Sequence, residues 1–282
     1  MKKLHDFLTL IDFSYTLFGL PFAYLGAFLA LKSCPTLHQL GWITLAMIAA
    51  RTAALCLNRM LDLPYDRENP RTANWILVNG SLRSAPLWLV VLLSMILLVW
   101  AASQLNHLCL ILSPVAVILL WGYSYTKRFT WLCHIILGLV VGIGPVASWL
   151  AVTGVFDWRP GFLWLAVGLW IAGFDIMYAC QDIDFDREHG LYSIPARFGE
   201  SQALKISEFC HEMVIILFVV NGLVLKLGAW YYTGIAIAAL VLIYEHLIVR
   251  PGQLKLVHSA SFKFNRYVSL IIFVMTLIDL FF

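Results

Sequence analysis

Charge is scarce in this chain. Asp, Glu, Lys and Arg make up 12% of its 282 residues, against 61% hydrophobic ones, a balance that excludes an ordinary soluble domain. Cysteine is sparse and unpatterned: Cys34, Cys56, Cys109, Cys133, Cys180 and Cys210 show no CxxC spacing and read as small apolar fillers. The eight histidines form no HExxH or other zinc-like pattern. No linker or low-complexity tract interrupts the chain, which therefore reads as one domain over residues 1–282. The formal net charge of +3 is small, and it is not the footprint of a nucleic-acid binder.

What the chain has instead is long apolar runs. A membrane-spanning helix needs about 20 apolar residues, and nine segments are near that length: Phe13–Leu31, Trp42–Leu57, Leu87–Ser103, Leu108–Tyr125, Leu132–Ala151, Phe162–Gln181, Met213–Leu227, Tyr231–Val249 and Tyr267–Phe282. The expected fold is therefore all-α, a polytopic membrane protein of nine transmembrane helices. The first run begins after Asp12, is long enough to span and is followed by eight more, which argues against a cleaved signal peptide. Placing the N-terminus in the cytoplasm puts nearly all of the 19 basic residues on the inner side. Only Lys32, Arg159 and Lys226 fall outside, and Arg51 lies within a span. That asymmetry satisfies the positive-inside rule, and the inner cations suit anionic lipid headgroups or a phosphorylated substrate.

One pattern occurs twice. Asp62-Leu63-Pro64-Tyr65-Asp66-Arg67-Glu68 recurs 120 positions later as Asp182-Ile183-Asp184-Phe185-Asp186-Arg187-Glu188, each copy closing an apolar run. In a helical context Asp62 and Asp66, and likewise Asp182 and Asp186, stand one turn apart on one face and repel each other. Asp184 falls off that face. A divalent cation relieves the repulsion, and Mg²⁺ prefers one or two carboxylates together with waters and substrate phosphates. Both copies lie on the cytoplasmic side, followed by the two longest inner loops. The repeat divides the chain into halves of roughly 1–130 and 131–282, with the two acidic pairs expected to face each other across a central cavity.

Two of the charges inside predicted spans need explaining. Arg51 precedes Asn58 by seven residues and Asp175 precedes Asp182 by seven, so each shares a face with the motif below it. Buried ions in a membrane are costly and are either functional or paired. Two readings stand side by side: an Arg51–Asp175 bridge between the halves, or Arg51 as the ligand of a substrate acid group.

The string from Asn58 through Asp66, continuing Asn69-Pro70-Arg71-Thr72-Ala73, resembles the NxxxDxxxD signature of the UbiA superfamily of intramembrane aromatic prenyltransferases. Tyr178 through Gly199 resembles its second acidic motif with the trailing S-x-P-A-R-F-G. Tyr123-Ser124-Tyr125-Thr126-Lys127-Arg128 and Phe264-Asn265-Arg266-Tyr267 are further matches. Within the superfamily these motifs are most similar to 4-hydroxybenzoate polyprenyltransferases and their menaquinone-pathway relatives. The resemblance implies a nine-span bundle opening laterally to lipid, in a bacterial inner membrane, that moves a polyprenyl group from its diphosphate to an aromatic acid in quinone biosynthesis. The acid is of the 4-hydroxybenzoate type or, alternatively, 1,4-dihydroxy-6-naphthoate. It also implies that Asn58, Asp62, Asp66, Asp182 and Asp186 bind Mg²⁺ and through it the diphosphate, that Arg71, Lys127 and Arg128 contact the diphosphate, and that Arg51 suits the acceptor carboxylate.

The chain departs from the family pattern at one point. Where relatives continue R-T-A-N-R-P-L-P-S-G, it reads Arg71-Thr72-Ala73-Asn74-Trp75-Ile76-Leu77-Val78-Asn79-Gly80. Trp75 replaces a second arginine, and Arg83 or Arg67 is positioned in sequence to compensate. A polytopic transporter is the chief reading outside the enzymes, but it needs no DxxxD pairs beside basic residues at one membrane face. A CDP-alcohol phosphotransferase would carry DGxxAR, which neither acidic cluster has. A catalytically inactive scaffold is the reading that Trp75 keeps open.

Overall fold

A computed structural model describes the backbone of residues 2–11, 13–254 and 257–282, and the side chains of 5–11, 19–254, 257 and 264–282. The inner-face cations Lys2, Lys3, Lys255 and Lys263 lie outside the described side chains, as do the first six residues of the expected span Phe13–Leu31.

Among the described residues the chain is helical throughout, without strands. It begins with α1 (Lys2–Leu10), α2 (Phe13–Leu31), α3 (Leu37–Leu61), the short α4 (Leu63–Glu68), α5 (Ala85–Leu105) and α6 (His107–Gly122), which tightens into a 3₁₀ turn over Tyr123–Arg128. The second half comprises α7 (Cys133–Val141), α8 (Gly144–Thr153), α9 (Pro160–Ala179), α10 (Ile183–Glu188), α11 (Ile194–Phe198), α12 (Glu200–Leu225), α13 (Ala229–Ile248) and α14 (Val257–Phe281). Among the described residues, eight helical stretches are long and apolar enough to cross a membrane, and the apolar helix Gly19–Leu31 stands at the first expected span.

Local chemistry sets several boundaries. Thr36 starts α3 with a capping box, its hydroxyl accepting from Gln39 N while the Gln39 side chain accepts from Thr36 N. Asn106 caps α6, accepting from Cys109 N. The fifth expected span, Leu132–Ala151, is two helices: α7 ends at Gly142, whose N–H reaches Gly138 O at 2.7 Å, and Pro145 opens α8 without an N–H to continue the ladder.

The bundle packs α3 against α5, α2 against α8, α7 against α9, α9 against α12 and α13 against α14. The central core joins Phe22, Trp170, Phe218 and Tyr231, and Phe22 meets Trp170 edge-on at 5.2 Å. Outward faces are apolar too: Leu89, Ile118 and Leu240 are each more than half exposed. An exterior of that kind is stable only in lipid. One very tight contact joins α7 to α9, where a Cβ on Gly138 would come within 2.1 Å of Gly168 O. Only glycine permits that approach, and it fixes the wall of the cavity described next.

Candidate functional site

The two acidic repeats close the ends of two different spans. Asp62 is the residue between α3 and α4, and the helical ladder runs through it: Asp62 N reaches Asn58 O at 2.9 Å and Asp66 N reaches Asp62 O at 2.8 Å. Pro64 is tolerated there because it falls in the first turn of α4. The second copy follows α9 through a 3₁₀ turn, Cys180–Asp182, into α10.

Both copies reach one cavity of about 620 Å³, within the range of small-molecule sites. Asn58, Asp62, Asp66, Asp182, Asp186, Arg71, Lys127 and Arg51 all line it. Arg128 does not. It turns toward the end of α3, donating to Leu61 O at 2.7 Å and standing 3.9 Å from Asp62 Oδ1. Asp184 is exposed and outside the cavity.

The acidic groups of the second motif are held by cations from the first half of the chain. Arg71 grips Asp182 with two prongs, Nε to Oδ1 at 2.8 Å and Nη2 to Oδ2 at 2.6 Å, and donates Nη1 to the Tyr178 hydroxyl at 2.8 Å. Asn69 donates to the same Asp182 Oδ1 at 2.9 Å. Lys127 Nζ stands 3.6 Å from Asp186 Oδ1, too far for a hydrogen bond, and that buried oxygen has no hydrogen-bond partner. Asn58 donates Nδ2 to Asp62 Oδ2 at 2.9 Å.

The first motif lacks enough positive charge for its carboxylates. Burial pushes the Asp62 carboxyl above the usual range against the pull of Lys127, Arg128 and Arg59. Burial, and then the negative charge of Asp62, push Asp66 up to about 6. A site of hard oxygen donors with raised carboxyl pKa values and an orphaned buried carboxylate oxygen fits a hard divalent cation such as Mg²⁺. Among the described residues, no three acidic, histidine or cysteine side chains are already gathered as a ligand cluster.

Several contacts within the site were not legible in the sequence. Trp75 lies on the cavity wall, with the Arg59 guanidinium stacked over its ring at 3.7 Å and that of Arg71 at 5.4 Å. Arg67 and Arg83 are exposed and do not line the cavity, so the cation at the Trp75 position is Arg59. The short contact of Asp175 is with His134, Nδ1 to Oδ2 at 2.7 Å, on the same cavity wall. His134 is a partner of Asp175 that the seven-residue spacing did not name. Asn265, from the last motif, also lines the cavity, accepting from Trp170 Nε1 at 2.5 Å and donating to Glu245 at 3.0 Å. An inward-facing histidine in an apolar run was the available signal for His134; nothing in the sequence paired Trp75 with Arg59.

Fold and site define a polytopic membrane protein with paired acidic and basic groups at the mouth of a cavity within its helical bundle. The profile of the UbiA prenyltransferase family matches residues 19–267, and the chain belongs to that family. It is 27% identical over 253 residues to a protein of Francisella tularensis subsp. novicida (strain U112) named 4-hydroxybenzoate octaprenyltransferase, covering 89% of this chain and 88% of the relative. The apo structure of a UbiA homolog from Aeropyrum pernix K1 is 35% identical with a TM-score of 0.86, covering 94% of this chain and 98% of that one. A UbiA homolog from Archaeoglobus fulgidus, solved with DMAPP and Mg²⁺, shares the fold at 20% identity and a TM-score of 0.66, covering 95% and 99% of the two chains.

Proposed function

We propose that this protein transfers a polyprenyl group from polyprenyl diphosphate to an aromatic acid of the 4-hydroxybenzoate type in quinone biosynthesis. The observation that carries this reading is the sharing of one cavity by both acidic motifs, by Arg71 and Lys127, and by Arg51. The Francisella relative carries the name of that activity.

In this reading Asn58, Asp62, Asp66, Asp182 and Asp186 hold Mg²⁺. The metal, once bound, supplies charge neutralisation on the departing diphosphate. Arg71 and Lys127 contact diphosphate oxygens and stabilise the charge that develops as the allylic C–O bond breaks, while Arg128 supports them from beside Asp62. Arg51 pairs with the acceptor carboxylate, which turns the ring toward the allylic carbon. Trp170, Phe174 and Tyr178 on the wall exclude water and present aromatic faces to the allylic cation. The N-terminus lies on the cytoplasmic side, and the membrane is a bacterial inner membrane.

The test is a transfer assay on purified protein with a long polyprenyl diphosphate and Mg²⁺. It offers 4-hydroxybenzoate and 1,4-dihydroxy-6-naphthoate in competition, with EDTA as control. Metal-dependent prenylation of 4-hydroxybenzoate is the expected result. Product from the naphthoate alone moves the enzyme to the menaquinone route, and no product from either, with diphosphate bound, overturns the reading.

A further inference from the structure

His134 stands on the first turn of α7, and Asp175 lies near the end of α9, seven residues before Asp182. Two helical turns place Asp175 about 10 Å deeper in the bundle than the acidic mouth. Arg51 holds the same offset from Asn58 on α3. The cavity therefore has a second tier beneath the metal and diphosphate groups.

In that tier, His134 Nδ1 lies 2.7 Å from Asp175 Oδ2. An ionised carboxylate only accepts, so Nδ1 carries the hydrogen, and in the neutral ring Nε2 keeps its lone pair. His134 is 5% exposed and lines the cavity, yet its Nε2 is buried with no hydrogen-bond partner. The adjacent Cys133 thiol is engaged elsewhere, with Tyr192 O at 3.3 Å. Buried polar atoms are seldom left without a partner. One that is orphaned on a cavity wall and backed by a carboxylate is arranged as an acceptor for a hydrogen that a ligand brings. The pair is not needed to hold its helices together, because the Gly138 and Gly168 contact already does so.

We propose that His134 Nε2 accepts the hydroxyl proton of the aromatic acceptor as its ring attacks, with Asp175 as the positioning residue that fixes the imidazole tautomer. This rests on the prenyl-transfer reading above. The hydroxyl and carboxylate of a 4-hydroxybenzoate lie at opposite ends of the ring, which suits His134 on α7 and Arg51 on α3.

The step balances. The allylic C–O bond breaks and its electron pair leaves on the diphosphate. A π pair of the ring forms the new C–C bond ortho to the hydroxyl. The O–H pair becomes the second bond of a C=O group, and the proton passes to Nε2, giving a dienone and an imidazolium beside Asp175. The hydrogen on the newly bonded ring carbon then leaves to the released diphosphate. Its electron pair restores the aromatic ring as the oxygen retrieves its proton from Nε2. Nothing is oxidised or reduced, and His134 ends neutral.

The experiment compares wild type, His134→Gln and Asp175→Asn with polyprenyl diphosphate, Mg²⁺ and a series of ring-fluorinated 4-hydroxybenzoates of increasing phenol acidity. It reads kcat and KM for each acceptor, and separately the Kd for polyprenyl diphosphate with Mg²⁺. We expect His134→Gln to lower kcat on 4-hydroxybenzoate by about 10²- to 10⁴-fold, with the diphosphate Kd unchanged. The ratio of wild-type to variant kcat should shrink as the phenol grows more acidic, because an acidic hydroxyl needs less help. Asp175→Asn should show the same trend with a smaller loss.

A His134→Gln kcat within threefold of wild type overturns the proposal, as does a loss that is equal for all phenols. If His134→Gln fails to bind polyprenyl diphosphate, it has misfolded, and the acidity trend in Asp175→Asn decides by the same criterion. Wild type that binds polyprenyl diphosphate yet prenylates none of the acids overturns the transfer reading and this proposal together. That outcome is distinct from an active wild type matched by an active His134→Gln.

Discussion

Arg71 and Asp182 form a two-pronged ion pair, at 2.8 and 2.6 Å, that joins the loop after the first acidic motif to the start of the second. Both oxygens of Asp182 are engaged, so the carboxylate cannot serve a cation fully until Arg71 lets go. A diphosphate offers Arg71 an alternative anion, which couples substrate arrival to release of the ligand. Arg71→Gln is expected to weaken polyprenyl diphosphate binding by about tenfold or more, in line with loss of a charge-assisted contact. Binding of Mg²⁺ alone should become tighter in the same variant. Calorimetry of Mg²⁺ with and without diphosphate checks both signs, and weaker binding of Mg²⁺ alone would sink the coupling.

The first motif predicts a pH dependence of opposite sign to the common one for carboxylates. With its pKa raised from 3.8 to about 6 by burial and by Asp62, folded Asp66 holds a proton that the unfolded chain has already lost. Stability of the metal-free protein is therefore expected to fall as the pH rises from about 4 through 6, and to level off above. Mg²⁺ should raise Tm strongly above pH 6 and little below pH 5, where the carboxyl is protonated. Thermal unfolding in detergent across pH 4–8, with Mg²⁺ or EDTA, tests this. A Tm in EDTA that climbs through that window would contradict it.

Trp75 acts as a platform for Arg59, whose guanidinium lies 3.7 Å from its ring centre. A stacked cation–π contact of this kind contributes on the order of 0.5–2 kcal/mol. Trp75→Ala should therefore raise the KM for polyprenyl diphosphate by about 2- to 30-fold while leaving acceptor KM and Mg²⁺ affinity near wild type. An unchanged diphosphate KM would show that the stacking of Arg59 on Trp75 on the cavity wall does not bear on diphosphate binding.

Much of this architecture could be read from the residues. Apolar runs located the spans because lipid demands them, and the repeated acidic pairs converge on one cavity, as expected of two halves with a site between them. Other features depended on tertiary packing. The helix α12 starts at Glu200, well before the expected Met213, because burial of Ser207, Cys210 and His211 continues it through a stretch that hydropathy alone marks as loop. The partner of Asp175 was not legible either, since face sharing places it inward without naming what faces it across the α7 and α9 contact. The cation beside Trp75 was sought in Arg67 and Arg83 because they follow nearby in sequence. Arg59 lies within the first motif, next to Asn58, and reaches Trp75 only through the fold of the loop.

The α7 and α9 crossing carries the last prediction. Gly138 O and Gly168 lie in backbone contact, and a methyl group on residue 138 would meet Gly168 O at 2.1 Å. Backbone cannot yield as the end of a flexible side chain does, so Gly138→Ala must part the helices. Overpacking of this kind costs about 1–3 kcal/mol, expected as a lower Tm in detergent. His134 lies one turn before Gly138 on α7, so the same displacement should lengthen its 2.7 Å contact with Asp175 and lower kcat more than it alters diphosphate binding. Gly80 has open space around its Cβ position but a φ of +78°, so Gly80→Ala strains only its own turn and serves as a control for loss of glycine as such. Equal Tm and kcat for Gly138→Ala and wild type would show that the two helices are not held at that distance, and that the position of His134 rests on something other than the glycine contact.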